Sequence, residues 1–213
     1  MICGVDEAGK GAVLGPMVVG TVGCEKETDL PDGVRDSKAL TRRQRERLYA
    51  EITESFPWGV VEIPAAEIDR LRQEMTMNVL VAHGHADAIR TLAPLPPTAY
   101  VDACDVNEER YGSTVAALLG GACTVISRNH GDALFPVVSA ASIVAKVTRD
   151  RAIEALHAKE GEIGSGYPSD PATIAYLKGY ITSHGMPPAC ARQSWETVVR
   201  LMDRRRQTTL GDF

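Results

Sequence analysis

Apolar and polar positions first follow the short period of strands and later the longer period of helices. Residues 2–5 and 12–23 are rich in Val, Ile and Gly, bracket the polar stretch Asp6–Lys10, and predict two strands joined by a tight glycine turn. A third strand is expected over Trp58–Ile63. Ahead of it, Thr41-Arg42-Arg43-Gln44 has the spacing of a capping box, and Leu40, Leu48 and Ile52 lay an apolar stripe along the helix that follows. A second helix is expected over 76–93, stopped by Pro94, Pro96 and Pro97. Strands over 98–102 and 122–127, with a helical stretch at 107–119 between them, give the alternation of a parallel α/β portion. From Val137 to about Leu156 the chain reads as one long helix, dense in Ala, Val and Ile on one side. Ser139, Ser142, Lys146 and Arg149 fall together on its other side. Asp170-Pro171 supplies an N-cap and a first-turn proline for a helix through about Ser183, and Trp195–Arg206 predicts a last one. The fold class is α/β: a mixed sheet, antiparallel first and parallel later, flanked by helices, with a helical C-terminal third.

With 213 residues and 44% hydrophobic content, the chain can bury one sizeable core, and disorder is excluded. No apolar run approaches the roughly 20 residues of a membrane-spanning helix, and the amino terminus lacks a signal-like apolar segment, so a soluble cytoplasmic protein is expected. Cys3, Cys24, Cys104, Cys123 and Cys190 form no C-x-x-C pair and suit reduced core thiols.

The net charge of −5 hides two basic segments. Residues 35–47 set Arg35, Lys38, Arg42, Arg43, Arg45 and Arg47 against Asp36 and Glu46. Residues 192–206 set Arg192, Arg200, Arg204, Arg205 and Arg206 against Glu196 and Asp203. The rest of the chain is strongly acidic, so a polyanion would be met locally, beside carboxylates that repel it unless cations intervene.

Gly4-Val5-Asp6-Glu7-Ala8-Gly9-Lys10-Gly11 satisfies the first seven positions of a nucleotide-binding P-loop. Against that reading, Gly11 stands where a Ser or Thr would hold magnesium, and Asp6 and Glu7 put negative charge where amides should cradle phosphate. Adjacent carboxylates at a strand end make better ligands for a hard divalent cation, provided the strand ends near Asp6 so that both side chains reach one site. Asp102, with Asp105 nearby, follows another strand, at the carboxyl end where open α/β sheets place their sites. Asp132 sits just before the long helix.

Taken in order and spacing, several segments resemble the ribonuclease HII family in its archaeal form. They are Gly4–Gly11, Asp36-Ser37-Lys38, Tyr100-Val101-Asp102, Asp132 followed by Pro136–Ser142, Gly166-Tyr167-Pro168-Ser169-Asp170, and Arg192-Gln193-Ser194-Trp195. The resemblance spans nearly the whole chain. It implies a ribonuclease H-like catalytic domain over 1–184, a helical extension over 185–206, and a flexible tail at 207–213. The implied activity is endonucleolytic cleavage of RNA paired with DNA, including single ribonucleotides embedded in duplex DNA, leaving 3′-hydroxyl and 5′-phosphate ends.

By the same resemblance Asp6, Glu7, Asp102 and Asp132 are the catalytic carboxylates and hold magnesium or manganese. Gly9-Lys10-Gly11 resembles a Gly-Arg-Gly loop that reads the 2′-hydroxyl through its backbone. Lysine for arginine keeps the amides and gives up a bidentate phosphate contact. Tyr167 resembles a tyrosine that packs on the sugar beyond the ribonucleotide, and Ser37, Lys38, Ser139, Ser142 and Lys146 resemble phosphate-contacting positions. Gln207, Leu210 and Phe213 resemble the anchors of a sliding-clamp-binding peptide, with one Phe in place of the usual aromatic pair. A monomer is expected.

Two other classes share part of this pattern. A metal-dependent phosphatase for small molecules would use the carboxylates without needing basic segments or a ribose sensor. A silent nucleic-acid-binding module would keep the basic segments, with no reason for four carboxylates that repel phosphate.

Overall fold

The computed structural model describes residues 1–34 and 40–211, the stretch 208–211 by its backbone alone. Five strands form one sheet: β1 (Ile2–Ala8), β2 (Met17–Cys24), β3 (Trp58–Ile63), β4 (Thr98–Asp102) and β5 (Thr124–Arg128), in the order β3-β2-β1-β4-β5. β1 pairs antiparallel with β2 over its whole length, and β4 runs parallel to both β1 and β5. The mixed sheet is the one the sequence implies.

The helices are α1 (Arg42–Ser55), α2 (Ala65–Leu71), α3 (Met77–Arg90), α4 (Glu108–Leu118), α5 (Gly131–Leu134), α6 (Pro136–Glu160), α7 (Pro171–His184) and α8 (Glu196–Gly211). Their starts are chemically marked. Thr41 and Gln44 close the capping box of α1 reciprocally, Thr76 and Asn107 cap α3 and α4, and Asp170 accepts from Ala172 N–H ahead of Pro171. α2 and α5 are not legible in the sequence, because seven and four residues are too few to establish a helical period.

The chain divides into two compact units. The first comprises Met1–Ala8, Val18–Glu62 and Thr76–Arg149. Strand alternation splits its core into two faces. Cys3, Val5 and Val101 pack with Ala82, Ala86 and Ile89 of α3 and with Tyr111 and Val115 of α4. On the other face Val22 and Cys24 pack with Leu48 and Ile52 of α1 and Val137, Ala141 and Val144 of α6. The approach of α6 is extreme at Gly4, where an added Cβ would lie 2.2 Å from the Val137 carbonyl carbon and oxygen.

The second unit comprises Gly9–Met17, Ile63–Met75 and Asp150–Phe213. Its core gathers Val13, Leu14, Ile153, Ile163, Leu177, Ala191 and Val198. This corrects the strand expected over 12–23. Val13 and Leu14 belong to the second core, Leu14 forms an isolated bridge with Ala191, and β2 begins only at Met17. One apolar run in the sequence serves two cores.

Two further expectations change. The polar stripe of α6 is internal: Ser139, Ser142 and Arg149 are all buried, so this part of the helix is enclosed on every side. The basic segment 192–206 is not a bare cationic surface either. Arg192 is fully buried, Arg200 pairs with Glu196, Arg206 pairs with Asp203, and Arg205 donates to the Gly185 carbonyl. Among the described residues no helix is long and apolar enough to cross a membrane. All five cysteines are free, and burial pushes the Cys3 thiol up to about 12, the behaviour of an inert core thiol.

Candidate active site

β1 does not end at Asp6. It continues to Ala8, with Asp6 opposite Gly20 and Glu7 opposite Val19 on β2. The two carboxylates therefore leave the strand on opposite faces. Asp6 lies on the α6 face and accepts from the Ser142 hydroxyl, which in turn accepts from Lys146 Nζ at 2.7 Å. Glu7 lies on the α3 face, its Oε2 3.0 Å from His85 Nε2. Both nevertheless lie at the end of the parallel pairing. β1 and β4 pair through Val5 and Val101, and the next residue of each strand is Asp6 and Asp102. Carboxylates thus collect along the edge where the β1–β4 ladder stops, the position that open α/β sheets use for ligands.

Asp102 is tied to the next candidate. Its Oδ1 accepts from Gly131 N–H at 2.7 Å, at the start of α5, and Asp132 follows, buried, in the first turn of that helix. The entry to α5 is tight: His130 adopts a left-handed conformation at φ 58°, and a Cβ on Gly131 would lie 3.2 Å from Asp102 Cα.

The electrostatics follow from this crowding. Burial pushes the Asp6 carboxyl well above the usual range, and the charges of Glu7 and Asp102 push it further, against the opposing pull of Ser142 and Lys146. Burial also raises Asp102, opposed by the Gly131 N–H bond and reinforced by Glu7 and Asp132. Among the described residues no three acidic, His or Cys side chains converge closely enough to enclose a metal ion by themselves. The donor chemistry nevertheless fits a hard divalent cation: the candidates are all carboxylate oxygens, and their mutual repulsion is what such a cation relieves. Magnesium characteristically leaves part of its shell to water and substrate phosphate, so a complete protein cage is not required.

Two buried polar side chains have contacts that the sequence does not reveal. His85 is fully buried, with Nε2 toward Glu7 and Nδ1 3.0 Å from the Tyr111 hydroxyl. With Nε2–H donating to the carboxylate, Nδ1 accepts from the phenol, and the chain Tyr111–His85–Glu7 fixes the carboxylate's orientation. The available signal is a pair of histidines, His83 and His85, in the otherwise mostly apolar run Val79–Ala88, of which the buried one needs partners. The other is Arg192, whose guanidinium donates to the carbonyls of Gly9, Lys10 and Gly15.

The remaining candidates separate. Ser139 is fully buried and donates to the Val34 carbonyl at 2.5 Å, so its hydroxyl joins α6 to the loop before α1 and is not available to a phosphate. Asp105 pairs with Arg110 at 2.6 Å and caps its own loop by accepting from Asn107 N–H, which keeps it out of the carboxylate cluster. In the second unit Tyr167 is half-buried in a turn held by Asp170, which accepts from Ser165 N–H. The neighbouring Gly166 carbonyl accepts from both Val13 and Leu14 N–H, so this turn and the segment after Gly9-Lys10-Gly11 are directly bonded. Gln207 is exposed on α8; the side chain of Leu210, together with Ser37, Lys38 and Phe213, lies outside the described residues.

Comparison with known proteins gives a consistent result. The ribonuclease HII family profile matches residues 3–198. A ribonuclease HII from Methanospirillum hungatei is 56% identical over 218 residues, covering 100% of both chains. The crystal structure of ribonuclease H2 from Pyrococcus horikoshii is similar with a TM-score of 0.88 at 42% identity, covering 97% of this chain and 99% of that one. The ribonuclease HII chain matched in a PCNA:RNase HII complex from Archaeoglobus fulgidus has a TM-score of 0.86 at 41% identity, covering 92% and 95%.

Proposed function

Because the chain belongs to the ribonuclease HII family and is accordingly a nuclease, we propose that it cleaves the RNA strand of RNA/DNA hybrids and single ribonucleotides embedded in duplex DNA. The reaction is assigned to Asp6, Glu7, Asp102 and Asp132. The observation that carries this reading is the placement of Asp6 and Asp102 directly after the last paired residues of the β1–β4 ladder, with Glu7 next in the chain. A magnesium or manganese pair held by these carboxylates would supply an activated water, its in-line orientation and stabilisation of the leaving oxygen, with 3′-hydroxyl and 5′-phosphate products.

The protein's own groups do the positioning. Ser142 and Lys146 hold Asp6, Gly131 N–H orients Asp102, and His85 braces Glu7. Recognition is assigned to the amides of Gly9-Lys10-Gly11 for the 2′-hydroxyl, which distinguishes RNA from DNA at a given nucleotide, and to Tyr167 for the following sugar. Ser37 and Lys38 are assigned to phosphate.

A DNA duplex carrying one ribonucleotide should be cut with magnesium or manganese and left intact after chelation. Metal-independent cleavage, or equal cleavage of an all-DNA duplex, would overturn the assignment. In the same assay Tyr167→Ala should slow the single-ribonucleotide substrate more than a continuous hybrid, because the contact removed is to deoxyribose; equal losses would make Tyr167 structural.

His85→Ala should leave Glu7 without its brace and weaken manganese binding by about 10–100-fold, read by calorimetry. Unchanged affinity would show that Glu7 needs no support from His85.

A sliding clamp such as the PCNA of the Archaeoglobus complex is the proposed partner of Gln207, Leu210 and Phe213. Deleting 207–213 should abolish clamp binding and leave cleavage of a free oligonucleotide unchanged. Equal clamp binding by full-length and truncated chains would dismiss the tail.

A further inference from the structure

Arg192 spends its charge inside the protein. It is fully buried, and its fork is filled by carbonyls of one loop: Nη2 donates to Gly9 O at 2.7 Å and Gly15 O at 3.2 Å, Nη1 to Lys10 O at 2.9 Å, and Nε to Gly15 O at 3.2 Å. Its own N–H donates to Val13 O at 2.9 Å, and its guanidinium carbon lies 5.0 Å from the Trp195 ring centroid. A buried cation is costly unless its donors are matched, and a planar guanidinium can serve several acceptors in one plane where an ammonium cannot.

The consequence lies on the other side of each peptide. In a planar trans peptide the C=O of one residue and the N–H of the next point in opposite directions. Drawing the Gly9 and Lys10 carbonyls onto Arg192 therefore turns the N–H groups of Lys10 and Gly11 away from it. Gly9 permits this turn with φ at 85°, a region that disfavours other residues. Gly11 is exposed, and a Cβ built on it would meet nothing within 4 Å, so its surroundings are open to a ligand.

We propose that Arg192 is a positioning residue for ribose recognition: it presets the Lys10 and Gly11 amides as donors to the 2′-hydroxyl without touching substrate. The inference rests on the reading that this loop senses the ribose, and it adds what holds the sensor in shape.

The test is the ratio of affinities for a duplex with one ribonucleotide and the same duplex in all-DNA form, measured in calcium so that cleavage does not interfere. Arg192→Lys keeps the charge and loses the fork; the ratio should fall about tenfold, the scale of one or two lost hydrogen bonds. Manganese affinity and the affinity for the all-DNA duplex should hold within about twofold, a pattern that general unfolding does not give. Gly11→Pro removes one of the donors directly and should lower the same ratio. If Gly11→Pro lowers it and Arg192→Lys does not, the loop senses ribose without Arg192 and the proposal fails alone. If neither does, the reading of the loop fails with it. Should Arg192→Lys not fold, Arg192→Gln, which keeps a planar donor group without the charge or the full fork, takes its place in the same measurement, and an undiminished ratio overturns the proposal.

Discussion

Asp6→Asn should abolish nearly all cleavage and at the same time make the metal-free protein more stable at neutral pH. The loss of activity should be about a thousandfold or more, ~4 kcal/mol of transition-state stabilisation, because an anionic oxygen donor is removed with little change of shape. The gain in stability follows from the same group. Burial and the charges of Glu7 and Asp102 raise the Asp6 carboxyl in the folded state. A carboxyl raised on folding contributes its stability below its unfolded value and loses it as pH rises through the folded value. The metal-free protein should therefore weaken as pH climbs out of the ordinary carboxylate range, and the asparagine variant should show less of that slope. Added magnesium should stabilise the unmodified protein more than the variant. Thermal melts across pH, with and without metal, read all of this. Near-normal cleavage by the variant at saturating metal would remove Asp6 from the site.

This opposition between stability and chemistry explains which parts of the molecule are legible in its sequence. Features that act locally announce themselves. The Thr41–Gln44 box and the Asp170-Pro171 start each satisfy backbone groups within a few residues, so pattern alone locates them. Asp102 is legible because a carboxylate directly after a short apolar run marks a strand's carboxyl end. Features that depend on distant partners do not announce themselves. Val13 and Leu14 continue the apolar run into Met17, and nothing local says that the first two belong to another core. Ser139 and Ser142 share a helical face, and only packing reveals that the first faces Val34 and the second Asp6. The contacts of Arg192 stay hidden until the chain folds and its guanidinium meets Gly15, 177 positions earlier in the sequence. The opposite exits of Asp6 and Glu7 follow from strand geometry, but their place at the end of the parallel ladder depends on where β4 stops pairing, which no property of β1 contains.

Gly4→Ala should be the most destructive of the small substitutions, although it adds one methyl group and changes no charge. The new Cβ would lie 2.2 Å from the Val137 carbonyl carbon and oxygen and 2.4 Å from Val138 N, all backbone atoms of α6 that no rotamer change can move. Gly20 on the neighbouring strand meets the same helix, with 2.7 Å to the Ala141 carbonyl oxygen, so α6 is seated on the sheet through two glycines. Relief requires lifting a helix whose buried residues, Val137 through Val147, supply much of one core face. The cost should exceed about 4 kcal/mol, the range reached when a core is overpacked against immovable neighbours, and a domain of ordinary marginal stability would lose most of its folded population. Function should fail before folding does. Asp6 lies two residues beyond Gly4 on the same strand face and meets Ser142 of that helix, so any displacement of α6 withdraws the hydroxyl that holds the carboxylate. In a folded fraction recovered at low temperature, cleavage should fall at least tenfold with substrate affinity less affected, because the disturbed group is a carboxylate proposed for the reaction rather than the loop proposed to sense ribose. A Gly4→Ala protein with unmodified melting temperature and turnover would mean that α6 is not seated on β1 in the way its backbone distances require.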